Sequence, residues 1–413
     1  MNVHPELGYF DEGLNLVEPK LYAAASRPFG RAQILPPAAY RSKIFADLED
    51  EKLWTRTWVC VGAQQQIPNA RDLFPLTLGH HGINIEHLAD GGLVARYNKA
   101  QHGGCRAVPL QCQTGVKTKC SFTSCGYSRD RDVIHAAEVG EGSRLAGQYL
   151  GDRPERLLPA NVETWGPFIF VNLDPDCEPL AKQVKGLVKR VAPYFNADMK
   201  VMSEFRSEID CNWKLAGRAY LEDITLPFVT CDEAKPTTRN TKTARPDRPL
   251  HSEYLYDLAG DYKARYSSLP KFAGLSKEWQ GRAQLCWLFP NLLLALMPNH
   301  VLSIVLQPTA TAMTMQRVAL FVSQSANVRA TTADLADLNI HWREALVGCA
   351  AGAVSRQQEF DNWGSPVRPD TAAKRLPKES SAFGYDFQKF LVERILTEHE
   401  YYWSAPLYSQ PGR

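Results

Sequence analysis

The residues best suited to chemistry lie between Asn98 and Asp130, in the run NKAQHGGCRAVPLQCQTGVKTKCSFTSCGYSRD. Two Gly/Cys/His-rich loops, Ala100 to Cys105 and Cys120 to Gly126, flank a predicted strand pair there. Short loops presenting thiolate and imidazole donors are what a metal or an iron–sulfur centre needs. The remaining histidines are scattered: His80 and His81 in LGHHG, His251 in a polar stretch, His300 before a predicted strand, and His341 and His399 on predicted helices. None makes a ligand motif, and the chain carries no phosphate-binding glycine loop, no Gly-x-Ser-x-Gly elbow and no HExxH.

The elements that must hold those loops can be read from periodicity. Residues 40 to 60 place Ile44, Phe45, Leu48, Leu53 and Trp54 at mostly helical spacing, and Trp58, Val59 and Cys60 open a strand. Up to about residue 175, short apolar runs (INIEHL, GLVARY, FIFVNLD) alternate with Gly, Pro, Asn and Asp, the rhythm of a small antiparallel β domain, with a helical insert at about 138 to 150. After DPDCEP the pattern lengthens: a helix near Leu180 to Tyr194, strands near Val201 to Asp210, and a helix from Trp213 to about Ile224. Residues 232 to 252 read as a polar surface loop. Three apolar strand-like runs and two helical stretches, about 332 to 362 and 385 to 400, follow.

At 413 residues, 44% hydrophobic and 22% charged, the chain suits a folded protein of two to three domains and excludes disorder, coiled coil and collagen. A formal net charge of +2 gives no general attraction to nucleic acid or anionic membranes. No apolar stretch approaches the roughly 20 residues of a bilayer span. The opening MNVHPELGYFDEG lacks a basic segment followed by an apolar one. A cytoplasmic location is therefore expected, with the ten cysteines as free thiols or metal ligands.

Several segments together resemble the α subunits of Rieske non-haem iron oxygenases, the ring-hydroxylating and N-demethylating family: YRSKIFADLEDEKLWTRTWVCVGA, VETWGPFIFVNLDPD, CNWKLAGRAYLEDITLPFV and LFPNLLL, besides the Cys/His loops. The resemblance implies an α+β fold, with a small Rieske-like β domain (56–175) inserted into a helix-grip domain (176–413) and a helical N-terminal segment (1–55) packed on the latter. It also implies a [2Fe–2S] cluster and a mononuclear iron, at positions that this sequence has changed. The family pattern Cys-x-His falls on Ala100, Gln101 and His102, and Cys-x-x-His falls on Cys120 to Thr123, so His102 and Cys120 alone are kept. An Ala100 methyl and a Thr123 hydroxyl replace neither a thiolate nor an imidazole.

The mononuclear site departs similarly. Asn212, Trp213, Lys214, Tyr220 and Glu222 match the family, but its two histidines fall on Thr225 and Thr230, and the later carboxylate on Glu359 or Asp361. A two-histidine, one-carboxylate iron site needs the imidazoles. Glu222 aligns with the carboxylate that links cluster and iron across a subunit boundary in the family, and Arg218, one helical turn earlier, is its expected ion-pair partner here. Neither a normal [2Fe–2S] cluster nor a mononuclear iron is expected. His102, Cys105, Cys120 and Cys125 offer a zinc-like donor set instead, against the alternative that these cysteines are simply small and buried.

The expected role is a non-catalytic α-like subunit that supports or regulates a catalytic Rieske-oxygenase α subunit. A trimer of this chain would stack on a catalytic trimer in an α3β3-type heterohexamer. The alternatives are an active terminal oxygenase with unusual ligands and a small-molecule sensor using the vestigial pocket.

Overall fold

The computed structural model describes residues 9–97, 158–195, 199–224, 249–258, 266, 269–323, 332–363, 376–379 and 381–397. A small β1–β2 ladder (Phe10–Asp11, Leu14–Asn15) precedes two six-stranded antiparallel sheets. The first runs in the order β3-β8-β7-β6-β5-β4, from Val59–Ala63 (β3), Leu73–Leu78 (β4), His81–His87 (β5), Leu93–Tyr97 (β6), Pro159–Trp165 (β7) and Phe168–Asn172 (β8). The second runs β10-β11-β12-β13-β14-β9, from Met199–Ile209 (β9), His251–Asp257 (β10), Arg282–Leu288 (β11), Leu292–Met297 (β12), His300–Ala310 (β13) and Met313–Ser323 (β14).

Strand β12 reads LLLALM without alternation because both of its faces are covered. Leu293, Ala295 and Met297 join the core beneath the helices α5 (Trp213–Glu222), α6 (Thr332–Asp361) and α7 (Ala382–Leu396). Leu292, Leu294 and Leu296 join a second core that holds Phe168 and Phe170 of the first sheet and the short helices α3 (Leu180–Val184) and α4 (Val188–Val191). This antiparallel sheet under helices is the α+β arrangement the sequence predicts.

The helix expected at Leu180 to Tyr194 is instead two short helices, α3 and α4, separated by a turn at 185–187. Three further boundaries differ from expectation, each for a local reason. The N-terminal helical stretch is broken: α1 (Ala38–Arg41) stops at Ser42, whose hydroxyl accepts from the Phe45 amide at 3.1 Å and caps α2 (Lys43–Glu49). The chain then widens into a π-turn at Asp50–Trp54. The strand β10 begins at His251, inside the expected loop, because His251 pairs with Leu288 of β11. Helix α7 starts earlier than its apolar periodicity suggests, capped by Ser381, whose hydroxyl accepts from the Gly384 amide. The helical insert expected at about 138 to 150 lies outside the described residues. No described helix is long and apolar enough to cross a membrane.

His300 ties the sheet to α6. Trp342 Nε1 donates to His300 Nε2 at 2.9 Å, so the ring proton belongs on Nδ1, 2.8 Å from Asn299 Oδ1. Burial lowers the imidazole to about 3. A group with a depressed folded pKa stabilises fully above its unfolded value near 6.5, and the contribution drains away as pH falls toward the folded value, at about 1.4 kcal/mol per pH unit. Chemical denaturation should therefore show the wild type losing about 2 kcal/mol more than His300→Gln on going from about pH 7 to about pH 5; equal losses would place the acid lability elsewhere.

Candidate functional site

Helix α5 carries Trp213, Lys214, Tyr220 and Glu222, and Asn212 precedes it. Asn212 starts it: its side chain accepts from the Lys214 amide at 3.2 Å and donates to the Thr311 carbonyl at 2.7 Å, while its own amide donates to Gln357 of α6. Gly217 lets the helix lie close on the sheet, since a Cβ there would stand 2.5 Å from the Trp287 indole. The buried face then presents Trp213, Lys214, Ala216 and Tyr220 inward.

Two ionic groups sit along this helix. At its start, Lys214 Nζ lies 2.7 Å from Glu49 Oε1, with both side chains almost wholly out of solvent, and Trp213 Nε1 donates to Glu49 Oε2 at 3.0 Å. Burial pushes the carboxyl up and the ammonium down, and each partner opposes the other's shift. At its end, Arg218 reaches Glu222 at 3.0 Å, the pair expected from one-turn spacing, and also meets both oxygens of Glu379 at 2.9 and 3.1 Å. Burial works against the guanidinium charge, but the two carboxylates outweigh it and hold Arg218 firmly protonated. Arg356 of α6 lies 2.8 Å from Asp223 and 3.8 Å from Glu222. Glu222 is thus held within its own chain, with 16% of its side chain exposed.

The space enclosed between α5, α6 and the second sheet, lined by Ala216, Tyr220, Ile304, Gln316, Leu346 and Cys349, measures about 10 Å³. That is room for one water. The Tyr220 hydroxyl on its wall is buried and meets no hydrogen-bond partner among the described residues. Burial pushes the Cys349 thiol to about 12, so it is neither a nucleophile nor a ready ligand at neutral pH.

Of the sequence-predicted positions, Glu222 stands at the end of α5, and Glu359 and Asp361 stand exposed in the last turn of α6, where Asp361 Oδ1 accepts from Gln357. Thr225, Thr230, Ala100, His102, Cys105, Cys120, Thr123 and Cys125 lie outside the described residues. Among the described residues no three His, Cys, Asp or Glu side chains gather as a metal site. An iron(II) facial triad takes two imidazoles and a carboxylate, and threonine hydroxyls do not supply the imidazoles. Sequence reasoning missed Glu379 and Arg356, which lie 161 residues from Arg218 and 134 from Glu222 and leave no periodic signal.

Residues 196–357 match the family described as ring hydroxylating alpha subunit (catalytic domain) and are homologous to it. The carnitine monooxygenase oxygenase subunit of Escherichia coli (strain K12) is 24% identical over 194 residues, 46% of this chain and 50% of that protein. Choline monooxygenase, chloroplastic, of Beta vulgaris is 26% identical over 197 residues, 46% of this chain and 42% of that one. The chain thus spans about half the length of these curated relatives. Among solved structures, a quaternary ammonium Rieske monooxygenase in complex with an inhibitor aligns with a TM-score of 0.56 at 19% identity, covering 88% of this chain and 95% of that one. Naphthalene 1,2-dioxygenase from Rhodococcus sp. aligns at 0.59 and 14%, covering 94% and 99%. At these identities the likeness is one of fold, and the fold is that of the Rieske-oxygenase α subunit.

Proposed function

We propose that this chain is a non-catalytic α-type subunit that assembles with a catalytic Rieske-oxygenase α subunit and supports or regulates its hydroxylation or demethylation of a small substrate. The observation that carries this reading is the donor set: threonine at both imidazole positions of the mononuclear site, Thr225 and Thr230, and Ala100 and Thr123 at two of the four cluster positions. Glu222, the aligned bridging carboxylate, is spoken for by Arg218 and Arg356.

Placement in the complex follows from electron transfer. If electrons cross from one protomer's cluster to its neighbour's iron around a ring, a chain lacking both centres would interrupt that ring. A separate layer, a trimer of this chain stacked on a catalytic trimer, avoids the interruption. The His102, Cys105, Cys120 and Cys125 set would hold a structural zinc in place of the cluster.

Metal and acid-labile sulfide analysis of anaerobically purified protein, alone and co-expressed with a catalytic α paralogue, tests the proposal. The expected result is neither iron nor sulfide in this chain alone and equimolar co-purification with the paralogue. Stoichiometric iron and sulfide with reductase-dependent turnover by this chain alone, or a stable monomer in both preparations, would overturn it.

A further inference from the structure

On the other side of Trp213 from the helix-covered core, a cleft of about 540 Å³ opens between α2, the π-turn, the β4–β5 turn and the β13–β14 hairpin. Its size falls within the range of small-molecule sites. One wall is apolar, with Trp54, Pro308, Met313 and Met315, and Met313 is 37% exposed although it is a large apolar side chain. Four carboxylates also line the cleft, Asp47, Glu49, Asp50 and Glu208.

Asp50 is the unusual member. It is 8% exposed, and Oδ1 accepts from the His80 amide at 3.0 Å. That oxygen lies 1.4 Å from where a Cβ on residue 79 would stand, and Gly79, at φ +57°, removes the obstacle. The turn is therefore shaped around this carboxylate. The side-chain partner of its other oxygen among the described residues is the His80 imidazole at 3.8 Å, which also lies 3.2 Å from Asp47 and is more than half exposed. The neighbouring His81 also acts on this carboxylate, so the groups facing it among the described residues are two weakly basic imidazoles on the exposed turn and no fixed cation. The neighbouring Glu49 differs in this respect, because Lys214 matches its charge. In the same cleft the Thr77 hydroxyl is buried and meets no hydrogen-bond partner among the described residues.

The geometry points to a binding site for a protonated amine with an apolar body: the ammonium between Asp47 and Asp50, in place of the His80 ring, and the body against Trp54 and Met313. Charge-assisted N–H···O bonds to a shielded carboxylate are the strong kind, and a methionine and aromatic wall accepts an apolar group without a strict shape. Lys43 and Glu208 also line the cleft. The inference rests on the cleft alone and does not depend on whether the chain is catalytic.

Phenethylammonium and its neutral isostere 2-phenylethanol are the probes, read by calorimetry and thermal unfolding on the full chain. The ammonium should bind saturably and raise Tm, with the alcohol at least tenfold weaker. Asp50→Asn, which keeps an oxygen for the His80 amide, should weaken the ammonium at least tenfold while still unfolding cooperatively, and the more exposed Asp47→Asn should weaken it less. Equal affinity for both probes, undiminished binding by both variants, or no binding would overturn the assignment.

Discussion

Replacing Lys214 by methionine is expected to lower the unfolding free energy by about 3–5 kcal/mol, because it strands a charged carboxylate where water cannot reach it. Glu49 and Lys214 are 2% and 0% exposed, and 2.7 Å apart. The ammonium also lies 5.1 to 5.8 Å from the Trp213, Phe45 and Tyr40 rings, so its charge is met by ring faces as well as by the carboxylate. Trp213 Nε1 would remain as a donor to Glu49 but carries no charge. The double variant Lys214→Met/Glu49→Leu should regain most of the loss, since removing both charges also removes the desolvation cost. Urea unfolding followed by circular dichroism measures all three. A single-variant loss below about 1 kcal/mol would mean that water enters the pair.

Arg218→Met should cost a similar amount, about 3–5 kcal/mol, for an asymmetric reason. Its two carboxylates are not equivalent: Glu379 is fully buried, whereas 16% of the Glu222 side chain is exposed. Burial is the main force raising the Glu379 carboxyl, and Arg218 is the main one lowering it. Glu379 also accepts from the Ser381 amide at the start of α7 and donates its own amide to the Ala32 carbonyl, so losing the guanidinium loosens three segments together. Glu222→Gln should cost only about 0–1 kcal/mol, because its carboxylate is partly hydrated and Arg356 remains nearby. If Glu222→Gln proved as damaging as Arg218→Met, the weight of the cluster would rest on α5 and α6 instead of on Glu379.

The division between what sequence and tertiary structure decide follows from how each signal arises. The helix from Trp213, the long helix α6 and the apolar runs that form β11 to β14 are local patterns of spacing and burial, legible without coordinates, although the sequence reads β11 and β12 as one run. Arg218 with Glu222 belongs with them, since one helical turn brings them together wherever the helix goes. The residue types at Ala100, Thr123, Thr225 and Thr230 are likewise read from the sequence directly, since no packing turns a threonine into an imidazole. The partners of the buried charges are a different matter. Glu49 meets Lys214 across 165 residues and Glu379 meets Arg218 across 161, and such distances leave no period in the sequence. The cleft at Asp50 needs a π-turn, a glycine turn and a hairpin from three parts of the chain, and the room of about 10 Å³ behind α5 depends on how two helices settle on a sheet. Those quantities are set when the chain closes on itself, because only then do side chains far apart in sequence compete for the same volume and the same charge.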